Sequence, residues 1–341
     1  MARRRLDGIL ISDMTNIRYL TGFPGSTAML FIGRDNVLFF TDFRYKAESE
    51  MLWDDEEPLI IRTDYFKEVR KRLKSLGVRH LGLEYGAPYH VFEKMKKHFG
   101  LKAVKGLVEK MRLEKTAGEL HKIELAVKRA ENAFIRTKRE IRVGAKENRI
   151  ALALEVNLKK EGCMKLPFDI IVASGKNSAL PHARVTEKKL EKGDLVLIDW
   201  GAEADGFMSD MTRTFLMRGD NISEKKRIYN TVLKANKLAI DAVREGEKCS
   251  DIDSAARSYI EERGFGDHFS HGTGHGVGLN VHEGPSISTR SAQTVRDGMV
   301  FTIEPGIYIP GVGGVRIEDM VSVSGGRRKC LTGLPKNLEI L

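Results

Sequence analysis

Apolar and polar positions in the first hundred residues follow two different periods. Residues 37–41 and 80–84 are short, largely apolar runs and predict strands. Residues 65–76 and 89–99 have the spacing of amphipathic helices, and Gly100 follows the second as an expected helix end. This alternation predicts a small α/β domain.

The clearest boundary signal precedes a long amphipathic helix. Thr116 and Glu119 form a capping box, in which both side chains bind free amides at the start of a helix. Apolar side chains then recur at helical spacing through Phe134. We therefore expect two domains, 1–112 and 113–341, which agrees with roughly 150 residues per domain.

The second part of the chain begins with helices and ends in strands. A helix over 148–160 leads into a β-rich stretch that begins at Phe168. Two further helices are predicted over 223–245 and 250–263, each with its first serine as N-cap and a glycine beyond its end. The fold class is therefore expected to be mixed α/β (α+β).

Composition excludes several classes of protein. Hydrophobic residues make up 41% and charged residues 30% of the 341 residues, which is typical of a folded globular chain. No stretch approaches the roughly 18 apolar residues of a membrane helix, and the apolar run after the basic N-terminus is too short for a secretion signal. The three separated cysteines predict neither a disulfide framework nor a zinc knuckle. We expect a cytoplasmic protein without a membrane partner.

The net charge of +10 raises nucleic acid as a partner. Much of the excess lies in residues 67–74 and 94–98, which have the pattern of basic helix faces without the aromatic side chains of a base-stacking surface. We expect no nucleic-acid partner, and a nucleic-acid-binding protein remains an alternative that rests on charge alone.

Four carboxylates fall on two predicted hairpins. The turn 203–206 is centred midway between Asp199 and Asp210, so these aspartates are expected to stand opposite each other. A glycine-rich turn likewise lies midway between Glu304 and Glu318. Carboxylates about 5 Å apart repel by roughly 3 kcal/mol at an effective dielectric of about 20, unless one acid of each pair points to solvent. Divalent cations such as Mn, Mg, Co or Zn would offset this repulsion.

Three histidines lie between the hairpins, at His271, His275 and His282. The glycines among them would let the backbone approach a ligand closely. A dinucleotide-binding motif is excluded because Val277 stands where that motif needs glycine, and the spacing does not match HExxH. Carboxylates with imidazoles are typical of a hydrolytic two-metal centre.

At these motifs the sequence resembles the pita-bread (M24-type) metallopeptidases, which include methionine aminopeptidase, aminopeptidase P, prolidase and the metal-free creatinase. The matching segments are 199–201, 209–215, 271–276, 282–283, 302–306 and 315–319. Segments 16–23 and 41–45 resemble the creatinase-type N-terminal domain, which methionine aminopeptidases lack. The resemblance implies a creatinase-like α/β domain in 1–112 and a pita-bread catalytic domain with a curved antiparallel sheet in 113–341.

The resemblance also implies two divalent metal ions, with Mn expected and Co or Zn as alternatives. The implied ligands are Asp199, Asp210, His275, Glu304 and Glu318. Asp210 and Glu318 would bridge both ions, and Glu304 would also act as general base toward a water nucleophile.

Further residues would act on the substrate side. By the same resemblance, His182 and His282 would polarise the scissile carbonyl. Arg316 matches a supporting residue of the proline-specific branch, on the same strand face as a metal ligand. His271 and Tyr308 match positions near the substrate pocket.

The expected activity is that of an Xaa-Pro aminopeptidase, acting as a homodimer on peptides with proline at the second position. The alternative is an Xaa-Pro dipeptidase (prolidase), which must bind the free carboxylate after proline, a task suited to arginine. In archaeal-type prolidases an arginine directly follows the His-Glu-x-Pro run, whereas Ser286 follows it here. Arg290, four residues on, is a candidate to compensate. A non-catalytic binding protein on the same fold is the remoter alternative.

Overall fold

The computed structural model describes residues 6–52 and 58–341. The chain divides into two compact units, Met1–Arg112 and Leu113–Leu341. The basic start of the chain, residues 1–5, lies outside the described residues. None of the helices in the described part combines the length and the apolar character that a membrane span requires.

A single mixed sheet is central to the N-terminal unit. Its strands are β1 (Gly8–Ile11), β2 (Ala28–Gly33), β3 (Val37–Asp42), β4 (Leu59–Ile61), β5 (His80–Glu84) and β6 (Gly100–Val104). The helices are α1 (Met14–Thr21), α2 (Lys46–Glu50), α3 (Tyr65–Ser75), α4 (Tyr89–Lys96) and α5 (Leu107–Met111). The spatial order of the described strands is β4-β3-β2-β1-β5-β6, with β5 and β6 parallel to β1 and β2 antiparallel. Alternate side chains of β1 and β2 therefore fill separate apolar cores on the two faces.

The predicted helix over 89–99 is too long. The helix ends at Lys96, and Gly100 is the first residue of β6 rather than a helix end. Gly100 pairs with His80, and its amide donates to the carbonyl of Arg79. As part of β6, Gly100 forms backbone hydrogen bonds with the sheet that it could not form if the helix continued.

The C-terminal unit combines four helices with antiparallel sheets. Its helices are α6 (Ala117–Thr137), α7 (Glu147–Lys160), α8 (Ser223–Ala242) and α9 (Cys249–Glu262). Its strands are β7 (Ile171–Ser174), β8 (Leu195–Trp200), β9 (Glu203–Ala204), β10 (Phe207–Met208), β11 (Met211–Leu216), β12 (Gly274–Gly276), β13 (Glu283–Ile287), β14 (Val300–Ile303), β15 (Gly306–Ile309), β16 (Gly313–Arg316), β17 (Asp319–Ser324) and β18 (Arg327–Cys330). The two larger sheets have the orders β11-β8-β7 and β13-β12-β14-β17-β18, and β15 pairs with β16.

Helix α6 begins as predicted and fixes one strand of the site. The Thr116 amide donates to Glu119 Oε2 at 2.8 Å and the Glu119 amide donates to Thr116 Oγ1 at 3.3 Å, which completes the capping box. Further along, Phe134 stacks on Trp200 with ring centroids 4.4 Å apart. The Trp200 indole also donates to the carbonyl of Ala130 at 3.0 Å. These contacts hold the end of β8 against the helix.

The predicted serine caps of α8 and α9 are wrong. Ser223 is already the first residue of α8, and Ser250 is the second residue of α9. In the part of the chain that the structure describes, no side chain caps the start of either helix. At α9 the Cys249 amide donates to the carbonyl of Gln293, so a neighbouring segment satisfies the backbone where a serine was expected to do so.

Candidate metal centre

The first pair of predicted carboxylates lies on the hairpin β8–β11, in a register that differs from the prediction. Asp199 pairs with Thr212 and not with Asp210. Asp205 and Gly206 have φ values of 49° and 87°, the two-residue turn that matches the twist of a hairpin. The turn centre therefore lies one residue later than predicted. Because side chains alternate along a strand, Asp210 still shares a face with Thr212 and Asp199.

The carboxylate of Asp199 is held on one side only. Arg316 Nη2 lies 2.7 Å from Asp199 Oδ2. The other oxygen, Oδ1, is buried and has no hydrogen-bond partner among the described residues. A buried acceptor without a partner costs about 1–3 kcal/mol, so this atom indicates a ligand site.

The second pair of carboxylates follows the predicted register. Ile303 pairs with Asp319 at the end of the β14–β17 ladder, and the β15–β16 hairpin is centred on Gly311. Glu304 follows Ile303 and Glu318 precedes Asp319 in the chain. They therefore lie opposite each other between the two ladders.

His275 on β12 brings an imidazole to these carboxylates. Its Nε2 is 3.3 Å from Glu304 Oε1 and 3.6 Å from Asp210 Oδ2. Its Nδ1 is 3.1 Å from the carbonyl oxygen of Gly276. Because a carbonyl only accepts, the proton resides on Nδ1, which leaves Nε2 as a ligand atom.

The glycines beside His275 allow strands to pack closely. A Cβ atom on Gly274 would lie 1.9 Å from the carbonyl oxygen of Thr302, and one on Gly276 would lie 1.8 Å from that of Gly284. The sequence predicts that the glycines let the backbone approach a ligand, and at these two positions the close approach is to the carbonyls of neighbouring strands. They let β12 lie against its neighbours and so set the position of His275.

The predicted ligands come together in three overlapping groups, in each of which the ligand atoms lie within 4.8 Å of one another. Within the described part of the chain these groups are Asp199–Asp210–Glu318, His275–Glu304–Glu318 and Asp210–His275–His282. All five predicted ligands belong to at least one group. His282, predicted on the substrate side, also comes close, and its ring centroid is 4.2 Å from that of His275.

Burial and neighbouring carboxylates disfavour ionisation of Asp210, Glu304 and Glu318. Burial raises the pKa of Asp210 well above its ordinary value, and the charges of Glu318 and Asp199 raise it further. Burial, Glu304 and Asp199 raise the pKa of Glu318 in the same way. Burial also raises the pKa of Glu304. A positive counter-charge would reverse these shifts.

A hydrogen-bond chain joins three residues predicted near the substrate. Arg316 Nη1 donates to the Tyr308 hydroxyl at 2.8 Å, and that hydroxyl lies 3.0 Å from His271 Nε2. His271 Nδ1 is 2.8 Å from the carbonyl of Gly272 and carries the proton, so Nε2 accepts from Tyr308. Burial raises the pKa of Tyr308 to about 12 and lowers the pKa of His271, so both are neutral near pH 7.

The centre opens into a cleft of about 880 Å³. Nine of the ten predicted site residues line it, while Tyr308 is buried and is not among the lining residues. His182 and His282 are exposed lining residues. The carbonyl of Pro181 accepts from Arg316 Nη1 at 3.2 Å, which ties the segment that carries His182 to the centre.

Known protein families match both units of the chain. The family model described as Metallopeptidase family M24 matches residues 121–325, and the model described as Creatinase/Prolidase N-terminal domain matches residues 1–113. The chain belongs to metallopeptidase family M24. This membership confirms the family resemblance and the predicted class of metallo-exopeptidase.

The similarity to known proteins extends over nearly the whole length of this chain. The Xaa-Pro dipeptidase of Pyrococcus horikoshii is 38% identical over 99% of this chain and 96% of its own. The structure of an Xaa-Pro dipeptidase from Bacillus anthracis has a TM-score of 0.96 at 38% identity, covering 100% of this chain and 96% of that one. The X-Pro aminopeptidase structure from Thermotoga maritima has a TM-score of 0.89 at 35% identity, covering 98% of each chain. The predicted fold, a creatinase-like domain followed by a pita-bread domain, is confirmed.

Family M24 implies divalent metal ions, and the residues of this chain fit them. The unpartnered Oδ1 of Asp199 is a buried hard donor, and burial together with neighbouring carboxylates raises the pKa of Asp210 and Glu318. Carboxylate oxygens with one imidazole suit ions such as Mn²⁺, Co²⁺ or Zn²⁺.

Thr212 is a residue of the M24 centre to which the sequence analysis assigns no role. Its hydroxyl donates to Glu318 Oε2 at 2.7 Å and accepts from Arg316 Nε at 3.1 Å. The available signal was strand alternation, since Thr212 stands two residues from Asp210 and shares its face. Thr212 orients a predicted ligand and the arginine that holds another.

Removal of metal with EDTA is expected to lower the melting temperature of the M24 protein by roughly 5–10 °C, because the carboxylates lose their counter-charge. The difference is expected to widen with pH. Folding without metal raises the pKa of Asp210 and Glu318. Protonation of these two carboxyl groups therefore stabilises the metal-free fold at low pH. This stability is lost as the pH rises from about 4 through the raised pKa values.

Thermal melts with and without EDTA, at about pH 5 and about pH 8, measure both effects. Equal melting temperatures after confirmed removal of metal would contradict the centre described above.

Proposed function

We propose that this chain is a metal-dependent Xaa-Pro dipeptidase, which hydrolyses the bond before proline in a dipeptide. The observation that carries the proposal is a cleft in which four carboxylates and His275 converge and which Arg184 also lines. The names of the Pyrococcus horikoshii relative and the Bacillus anthracis structure support the dipeptidase alternative better than the aminopeptidase expected from sequence.

Five residues would hold two divalent ions, for which we propose manganese: Asp199, Asp210, His275, Glu304 and Glu318. Four carboxylates balance the charge of two such ions, and hard oxygen donors suit Mn²⁺. When bound, the ions supply Lewis-acid polarisation and lower the pKa of water at the site.

Glu304 is proposed as the general base. Its carboxylate lines the cleft among the other proposed ligands, so it would lie within reach of a water at the site. The Thr302 hydroxyl donates to Glu304 Oε1 at 3.2 Å, and the Glu304 amide donates to the carbonyl of Thr273 at 2.7 Å. These contacts fix the direction in which the carboxylate accepts a proton.

His182 and His282 are proposed to donate hydrogen bonds to the scissile carbonyl. Burial and the neighbouring His275 lower the pKa of His282, so its ring is neutral near pH 7 and offers one N–H. Donors aimed at an oxygen that gains negative charge stabilise the transition state. Arg316 would act indirectly, because it holds Asp199.

Arg184 is proposed to bind the terminal carboxylate of the dipeptide. Its side chain is exposed in the cleft, and no carboxylate of the described residues pairs with it. Arg316, which also lines the cleft, already donates to Asp199 and Tyr308. Arg290 is not among the described residues that line the cleft. A guanidinium group matches a carboxylate with two parallel hydrogen bonds, which favours Arg184 for this role.

The wild-type kcat/KM on an Xaa-Pro dipeptide is expected to exceed that on its C-terminal amide and on an Xaa-Pro-Xaa tripeptide by more than about tenfold, or about 1.4 kcal/mol. Arg184→Gln is expected to remove most of this preference and to leave hydrolysis of the amide nearly unchanged. Arg290→Gln is the matched control and should keep the preference.

A tripeptide cleaved as well as the dipeptide would indicate an aminopeptidase instead. If the preference for the dipeptide survives Arg184→Gln but is lost in Arg290→Gln, then Arg290 and not Arg184 binds the terminal carboxylate.

Residues 113–341 are proposed as the catalytic domain and residues 1–112 as an accessory domain. The predicted homodimer and cytoplasmic location stay predictions, and gel filtration with light scattering would measure the first. A non-catalytic binding protein is disfavoured because the chain keeps all five ligand residues.

A further inference from the structure

One buried carboxylate holds both ends of the segment that carries His182. We name this segment, residues 175–186, the His182 loop; it leaves β7 directly after Ser174 and ends at Thr186. Glu147, the first residue of α7, is fully buried beneath these two ends.

Each oxygen of Glu147 binds one end of the loop. Oε1 accepts from the amide and the hydroxyl of Ser174 at 2.7 and 2.8 Å. Oε2 accepts from the amide and the hydroxyl of Thr186 at 3.2 and 2.6 Å. Asn177, within the loop, also donates to Oε1 at 3.2 Å. Hydrogen bonds to a carboxylate are stronger than neutral ones, so Glu147 restrains both ends of the loop. It does so together with the pairing of Ser174 with Val196 and the Asn148 amide, which donates to the carbonyl of Thr186 at 3.1 Å.

Two contacts fix the middle of the His182 loop against the metal centre. The amide of Gly314 donates to Ser178 Oγ at 2.8 Å, and Arg316 Nη1 donates to the carbonyl of Pro181. The imidazole of His182 is exposed, and no hydrogen bond from it to another described residue is found. The position of His182 therefore depends on the backbone of its loop.

We propose that Glu147 is a positioning residue for His182, and that it acts on the reaction only through this loop. The inference rests on the proposed role of His182 at the scissile carbonyl. The predicted metal ligands lie at or beside other strands, so release of the loop ends would displace His182 and leave the ligands in place. A displacement of about 1 Å in a positioned group is enough to slow a reaction by up to about 10²-fold.

Glu147→Gln tests this proposal, because it keeps the side-chain size and replaces one acceptor oxygen with an amide group that faces donors. We expect kcat to fall about tenfold, with KM changed less than about twofold and metal content unchanged. In a His182→Ala background the same substitution should change kcat less than about twofold, since no imidazole remains to be positioned.

Asp253→Asn is the matched control. Asp253 is an equally buried carboxylate, but it holds another segment through the amide and hydroxyl of Thr273, at 3.0 and 2.8 Å. Its effect on kcat is expected to be the same with and without the imidazole of His182.

A full tenfold loss from Glu147→Gln in the His182→Ala background would overturn the inference, as would no loss in the wild-type background. Where Glu147→Gln fails to fold, Thr186→Val removes one donor from the loop side and carries the same test. A wild-type rate for His182→Ala alone would overturn the proposed role of His182, and the inference with it.

Discussion

Replacement of Asp210 by alanine is expected to abolish dipeptide hydrolysis, with a loss of roughly 10³-fold or more, and to lower the metal content of the purified protein. Asp210 belongs to two of the ligand groups and is buried between them, so its removal affects both proposed metal positions. Metal analysis by plasma mass spectrometry, together with kcat on an Xaa-Pro dipeptide, measures both effects.

Two controls separate loss of the ligand from loss of the fold. Asp210→Asn keeps the side-chain shape and removes only a charged donor, so it should lose metal while it keeps the wild-type circular dichroism spectrum. Asp169→Ala removes a carboxylate that lines the same cleft but belongs to none of the ligand groups found among residues 6–52 and 58–341, and it should retain metal. Equal metal contents in Asp210→Ala and wild type would refute the bridging assignment.

Replacement of His182 by alanine is expected to reduce kcat by about 10²- to 10³-fold and to leave metal content unchanged. His182 lines the cleft but is in none of the ligand groups of the described residues. The loss should appear in kcat more than in KM, because a donor to the carbonyl oxygen acts mainly in the transition state. Single-turnover kinetics with a metal measurement on the same sample checks both parts.

The opposite pattern would reverse the role assignment. Should His182→Ala lose its metal while Asp210→Ala keeps it, the histidine would be the ligand and the aspartate would belong to the substrate side.

Local signals in the sequence predict the positions of both hairpins, but they gave the correct strand register for only one of them. The turn centred on Gly311 gave the correct register for Glu304 and Glu318. In the first hairpin the Asp205-Gly206 pair, a strong signal for a two-residue turn, would have placed the turn centre correctly. The prediction instead centred the turn on the four residues 203–206. The predicted turn centre was therefore one residue too early, and Asp199 was paired with Asp210.

Contacts between distant parts of the chain account for what the sequence analysis missed. Arg316 reaches Asp199, Thr212 and the carbonyl of Pro181, partners more than one hundred residues away. No periodicity or turn signal encodes such contacts, because they depend on how the sheets pack. The family resemblance located Arg316, and only the structure identified what it holds.

The same limit applies to small residues. Gly274 and Gly276 were expected to let the backbone approach a ligand closely, and each lies against the backbone carbonyl of a neighbouring segment. A glycine-rich motif indicates close backbone approach, and the sequence alone does not identify which backbone or ligand approaches.

The most direct test of a metal-dependent Xaa-Pro dipeptidase is chelation followed by titration with Mn²⁺, with hydrolysis of an Xaa-Pro dipeptide as the measurement. We expect dipeptide hydrolysis to disappear with the metal and to return as about two ions bind per chain. Hydrolysis that persists in protein shown to be free of metal, or no hydrolysis at full occupancy, would contradict it.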